Sequence, residues 1–179
     1  MVYIFLAPGF EEAEALVPAD LLRRAGIDTA LVGTERGPVV GGHGIAVLPD
    51  MELPQVELED AEMLVLPGGG RGVENLACCP QVEQLIRLAA AQGIPIAAIC
   101  AAPTLLARWG LLEGKRAVCF PGLEGKLAGA RHTGASVVTD GATITGRAAG
   151  SAFDFGLELV KFLAGEEKAE EVRHNVHYR

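Results

Sequence analysis

What the sequence has little of narrows it first. Lys and Arg number 15 against 23 Asp and Glu, a net charge of −8. Such a field repels phosphate backbones and anionic head groups, so neither nucleic acid nor a membrane is expected as a partner. Half of the residues are hydrophobic, yet no stretch approaches the roughly 20 uninterrupted apolar residues of a spanning helix. The apolar run Val2 to Ala7 is cut by Pro8-Gly9 and has no basic segment before it. This is not the build of a signal peptide, and a cytoplasmic protein is expected. Cys78, Cys79, Cys100 and Cys119 form no Cys-x-x-Cys metal spacing and suit reduced thiols. His174 and His177 lie three apart near the end, where a solvated tail is the simpler reading, so no metal is expected. Linkers, low-complexity blocks and internal repeats are all missing. Residues 1–179 read as one domain, with 166–179 as a charged tail.

What is present is alternation. Short Val, Ile and Leu runs alternate with longer segments of helical period, the pattern of an α/β fold with a mostly parallel sheet covered by helices on both faces. The expected strands are Val2 to Ala7, Thr29 to Val32, Met63 to Leu66, Pro95 to Ile99 and Ala117 to Cys119. Each is nearly continuous in apolar residues, as doubly covered strands are. Helices are expected over Glu11 to Ala25, Pro80 to Gln92 and Ala102 to Trp109, stopped by Gly26, Gly93 and Gly110 as left-handed caps. Val39 to Leu48 and Val137 to Thr145 read as added hairpin or edge pairs, and Ser151 to Leu163 as a last amphipathic helix.

Ligands of an open parallel sheet bind beyond the carboxyl ends of its strands, and three post-strand segments are unusual. Cys100 ends an apolar strand just before a helix that starts with Pro103, an arrangement like a nucleophile elbow. A helix N-terminus would bring the thiol to a pKa of roughly 4 to 7. Glu14 shares a helix face with Val17, Pro18 and Leu21, which favours partial burial, a raised pKa and proton donation to a nearby anion. Its neighbours Glu11 and Glu12 read as ordinary first-turn acids. The run Pro67-Gly68-Gly69-Gly70 is no phosphate loop, but its N–H groups could contact an oxyanion on Cys100. On position alone the plainer readings stay open: a buried inert thiol, a solvated glutamate and a tight turn.

Together these motifs resemble the ThiJ/PfpI superfamily, in the branch of the parkinsonism-associated protein deglycase. The resemblance spans essentially the whole chain. It is carried by Pro8-Gly9-Phe10-Glu11-Glu12-Ala13-Glu14, Leu66-Pro67-Gly68-Gly69, Ala97-Ala98-Ile99-Cys100-Ala101-Ala102-Pro103-Thr104 and Ile144-Thr145-Gly146-Arg147. It implies a flavodoxin-like three-layer sandwich, a homodimer, Cys100 as nucleophile or redox centre, Glu14 as its protonated partner, and the N–H groups of Gly69 and Ala101 as an oxyanion site. This chain has Ala101 where protease and amidotransferase relatives carry His after the nucleophile, which argues against a peptidase. Phe120 stands where some members have a His, and His43 where some present an Arg. The function so implied is a cofactor-independent deglycase or glyoxalase acting on small dicarbonyls such as methylglyoxal and glyoxal, or on glycated proteins and early thiol and amine adducts. The rival from another class is a redox sensor or holdase chaperone that uses the same cysteine.

Overall fold

The computed structural model describes residues 1–179. In chain order the elements are β1 (Val2–Leu6), α1 (Glu12–Arg24), β2 (Thr29–Gly33), β3 (Val39–Val40), β4 (Ala46–Val47), β5 (Met51–Glu52), β6 (Met63–Leu66), α2 (Gly70–Ala77), α3 (Pro80–Ala91), β7 (Ile96–Ile99), α4 (Pro103–Arg108), β8 (Arg116–Ala117), β9 (Arg131–His132), β10 (Val137–Asp140), β11 (Thr143–Gly146), α5 (Ala152–Ala164) and α6 (Glu166–Asn175). Seven strands make one sheet in the order β10-β11-β7-β6-β1-β2-β5. All its pairings are parallel except β10 with β11.

The period of two along each strand divides the apolar residues between two cores. Tyr3, Phe5, Ile96 and Ala98 enter one core, with Val73 and Leu76 of α2, Val82 and Ile86 of α3 and Leu105 and Leu106 of α4. Val2, Ile4, Leu6, Ala97 and Ile99 enter the other, with Leu21 and Leu22 of α1, Phe155 and Leu159 of α5 and Val172 of α6. This is the expected sandwich of helices, mostly parallel sheet and helices. The three glycine stops hold: Gly26, Gly93 and Gly110 have φ of 76°, 75° and 73°.

Three expectations are revised. Ala117 to Cys119 is not a strand of the central sheet, because β8 pairs with β9 in a separate two-stranded sheet. The place beside β7 belongs to β11, and the Val118 N–H turns to the Thr145 hydroxyl at 3.0 Å. The Gly70-Arg71-Gly72 run is the first turn of α2, whose Val73 and Leu76 supply the buried face that the glycines obscure. The charged end is not simply solvated: α6 covers α5 by burying Ala169 and Val172, and Tyr178 stacks on Phe153 with ring centroids 4.9 Å apart. No helix is long and apolar enough to cross a membrane.

Because Val172 is 1% exposed, Val172→Asp should lower unfolding free energy by about 2–4 kcal/mol, the burden of an unpaired buried carboxylate. The exposed Lys168→Gln on the same helix should change it by less than about 0.5 kcal/mol. Urea unfolding of the two variants measures the difference.

Candidate active site at the carboxyl edge of the sheet

Beyond β2 and β5 on one side, the chain returns to β6 on the other side of β1. The crevice above the carboxyl ends of β1, β6 and β7 therefore sits where the winding direction reverses, the usual ligand position in such sheets. It collects Glu14 from the first turns of α1, Gly68 and Gly69 from the turn after β6, and Cys100 from the turn after β7.

Cys100 has φ of 65°, a left-handed backbone that side-chain-bearing residues rarely adopt. Two main-chain bonds hold it there. Its N–H donates to the Gly146 carbonyl at 2.9 Å, continuing the β7–β11 ladder, and its own carbonyl accepts from the Phe120 N–H at 2.7 Å. The turn lifts the thiol out of the strand into partial exposure, as the elbow pattern anticipates. The N–H groups of Gly69 and Ala101 lie close enough to the sulfur to favour its ionised form.

Glu14 is wholly buried. The Gly68 N–H donates to its Oε2 at 2.9 Å, while Oε1 is buried without a well-aligned hydrogen-bond partner. The Cys100 thiol is close enough for each group to shift the other. Burial is the main reason that the Glu14 carboxyl rises from 4.5 to about 7, against the lowering effects of Cys100 and the Gly68 N–H. Glu14 can therefore keep its proton up to near neutrality.

The thiol behaves differently from its expectation. Cys100 is pushed up to about 12, first by burial and then by the charge of and hydrogen bond with Glu14, which outweigh the Gly69 and Ala101 N–H groups. Helix α4 spans only Pro103–Arg108, too short a dipole to reverse this. The two groups titrate as a pair. The first proton leaves the carboxyl near pH 7, and burial together with the charge left on Glu14 keeps the second on the sulfur well above it.

Glycines make this closeness possible. A Cβ on Gly68 would lie 2.5 Å from Cys100 Cβ and closer still to Glu14 Oε2. One on Gly72 would lie 2.7 Å from the Phe10 backbone, which is why the loops after β1 and β6 can pack main chain on main chain. Sequence reasoning noted the glycine run but not the role of the Gly68 N–H in orienting Glu14.

Glu12 departs from its reading as an ordinary first-turn acid. It is 5% exposed and accepts the His43 N–H at 2.8 Å, while its other oxygen lies 2.9 Å from His43 Nδ1. Burial opposes its ionisation, but the hydrogen bonds of His43 and of nearby backbone N–H groups hold its pKa below the usual value. The same contact, followed by the charge of Glu11, raises that of His43. This clasp fixes the β3–β4 hairpin beside the first turn of α1, which carries Glu14. It joins residues 31 apart in sequence, a separation that no local pattern reveals.

A strained thiol and a buried carboxyl thus meet over a flavodoxin-like sheet as a cysteine-centred candidate site. Comparison with known proteins gives the family: a model of the DJ-1/PfpI family matches residues 1–162, and the chain belongs to this family. It is 40% identical to the Drosophila melanogaster protein dj-1beta over 172 residues, covering 94% of this chain and 92% of that one. The crystal structure of the same fly protein superposes with a TM-score of 0.94 at 37% identity, over 99% of this chain and 97% of the other. A glutathione-independent glyoxalase of Caenorhabditis elegans is 33% identical over 160 residues, 88% of this chain and 85% of its own. A deglycase of Pyrococcus abyssi is 31% identical over 164 residues, 90% of this chain and 98% of its own.

The raised Glu14 pKa has a stability consequence with a definite sign. Below about pH 4.5 both folded and unfolded states hold the proton. Between there and about 7 the unfolded state releases it while the folded state keeps it, so stability falls as pH rises, by about 3 kcal/mol in all. Glu14→Gln should remove this contribution, and the variant should gain on the wild type between pH 4.5 and pH 7.5. Denaturant midpoints at the two pH values check it.

Proposed function

We propose that this chain is a cofactor-independent, cysteine-dependent enzyme of α-oxoaldehydes, a glyoxalase or deglycase acting on methylglyoxal, glyoxal and their early adducts. The observation that carries the reading is a fully buried carboxyl, raised to about 7, set against a strained, partly exposed thiol on the neighbouring turn. The glyoxalase and deglycase relatives support the substrate class.

Once the pair has lost one proton, the remaining proton rests mainly on the Cys100 sulfur, and the attacking form is the minor tautomer in which it has passed to Glu14 and left the thiolate. The Cys100 sulfur adds to the aldehyde carbon, and Glu14 protonates the oxygen to leave a hemithioacetal. As a carboxylate, Glu14 then takes the proton from that carbon and returns one to the adjacent carbon, which converts the hemithioacetal to a lactoyl thioester. Water cleaves the thioester, releasing lactate and restoring the thiol. Methylglyoxal plus water gives lactic acid with no net oxidation, so no external redox partner enters. The Gly69 and Ala101 N–H groups move from the thiolate to the developing oxyanion as the sulfur becomes neutral.

The four free cysteines suit a cytoplasmic setting, and the exposed Val40, Ile45 and Leu48 around the β3–β4 hairpin suit burial in a homodimer. No separate observation favours the redox-sensor reading. Cys119, which could serve as a resolving thiol, is 1% exposed, is pushed up to about 11 chiefly by burial, and packs in the core on the other side of the sheet from the one Cys100 contacts.

Purified metal-free protein should form lactate from methylglyoxal, and Cys100→Ser and Glu14→Gln, each shown to be folded, should lose at least about a hundredfold in kcat. No lactate from wild-type protein with Cys100 reduced would refute the assignment. In a second measurement, alkylation of Cys100 by iodoacetamide should inflect well above the ordinary thiol range in wild type, and Glu14→Gln, which removes a charge that raises the thiol pKa, should move the inflection down. An unchanged inflection would remove Glu14 from the proton relay.

A further inference from the structure

The cluster of Glu11, Glu12 and His43 stands apart from the Cys100–Glu14 pair, and no step proposed at that pair uses it. Each of the three residues offers one ligand atom, and the three atoms lie within 4.8 Å of one another. His43 Nδ1 is 2.9 Å from a Glu12 carboxylate oxygen and 3.6 Å from one of Glu11. Zinc bonds to nitrogen and oxygen measure about 2.0–2.2 Å, which sets adjacent ligand atoms about 2.9 to 3.5 Å apart. The first spacing already fits, and the second needs only a slight turn of the half-buried Glu11 side chain.

The ligands are held in advance. Glu12 Oε1 accepts the main-chain N–H groups of His43 at 2.8 Å and Ile45 at 3.4 Å, which anchors that oxygen in the hairpin turn and leaves Oε2 facing the His43 ring. The turn can close over the carboxylate because position 41 is glycine: a Cβ there would lie 2.6 Å from Glu12 Cγ and closer still to its carboxyl group. The Gly9 N–H donates to the Val40 carbonyl and the Gly42 N–H to the Phe10 carbonyl, each at 2.8 Å. Main-chain bonds therefore join the turn that carries His43 to the loop that carries Glu11. A carboxylate with one oxygen fixed by hydrogen bonds and the other turned outward is how metal ligands are oriented.

Charge points the same way. His43 is the one basic group paired with either carboxylate, so two negative charges face at most one positive charge. Glu12 carries its charge on a side chain only 7% exposed, where an incompletely compensated carboxylate is costly. The His43 ring is 69% exposed and leaves an open side through which a hydrated ion can enter and keep part of its water. One imidazole with two carboxylates suits zinc and its first-row neighbours, whereas calcium and magnesium take oxygen ligands.

We propose that Glu11, Glu12 and His43 bind one zinc-type divalent ion, which ties the β3–β4 hairpin to the start of α1. The site is separate from the chemistry proposed at Cys100, which it neither supplies nor requires.

Zinc is titrated by calorimetry into chelator-treated protein carrying Cys78→Ser, Cys79→Ser and Cys100→Ser, so that accessible thiols do not compete. One ion should bind per chain. His43→Arg, which keeps a cation on Glu12 but removes the nitrogen ligand, should weaken binding at least about tenfold. So should Glu12→Gln, which keeps an acceptor for the hairpin N–H groups. His174→Ala with His177→Ala should leave the affinity unchanged. Zinc should also raise the thermal midpoint of the parent protein and not that of His43→Arg. Absence of binding, binding that survives His43→Arg, or displacement of zinc by an equal concentration of calcium or magnesium overturns the site. Lactate formation reads the Cys100 chemistry independently of each of these outcomes.

Discussion

The left-handed backbone at Cys100 is the constraint on which the site depends. Such a conformation costs about 1–3 kcal/mol in a residue with a side chain, and it persists because both of its peptide groups are committed. The N–H is the last rung of the β7–β11 ladder, and the carbonyl is capped by Phe120. Relaxing the turn would break a rung of the central sheet on one side and free the segment after β8 on the other. That segment leaves the sheet to form the β8–β9 pair, and the space beside β7 passes to β11. The minor topology of the C-terminal half is thus bound up with the placement of one sulfur atom.

The second constraint is desolvation. A wholly buried carboxyl is tolerated here because one oxygen takes the Gly68 N–H and the group can stay protonated close to neutral pH. Gly68, Gly69 and Gly72 let three loop backbones approach closely, and the polar contacts to sulfur and carboxyl come from main-chain N–H groups. Main-chain donors are rigid and bring no charge of their own. The reacting end is therefore compact and poor in distinguishing side chains.

Much of this was legible in the sequence because it is local. The runs Val2–Leu6 and Met63–Leu66 are too apolar for anything but doubly covered strands, and Gly26, Gly93 and Gly110 mark helix ends through the left-handed cap that only glycine adopts freely. Cys100 and Glu14 stood out for the same reason, a reactive group at a strand end and an acid on an apolar stripe. What escaped was decided at long range. The second core layer, supplied in part by α6, hides among charged residues because Ala169 and Val172 are its only buried contribution. Glu12 looks like any first-turn acid until His43 is brought over it. The high thiol pKa is not legible there, because helix position shows in the sequence, whereas the extent of burial and the proximity of a second acid do not.

Glu14 is the titratable side chain whose charge and contact shift Cys100, and Glu11 acts on Glu14 only through charge. Under the proposed chemistry a single carboxyl must donate a proton to the hemithioacetal oxygen, accept one from carbon and return it. A pKa near 7 is the value at which one group can do both, since neither form is scarce at neutral pH. A carboxyl left at 4.5 would be a poor donor, and one driven far above 7 would be a poor acceptor. The burial that makes Glu14 expensive to ionise is therefore what allows it to do both tasks, and the glycines that admit it to the crevice are as much a part of the acid–base machinery as the carboxyl itself.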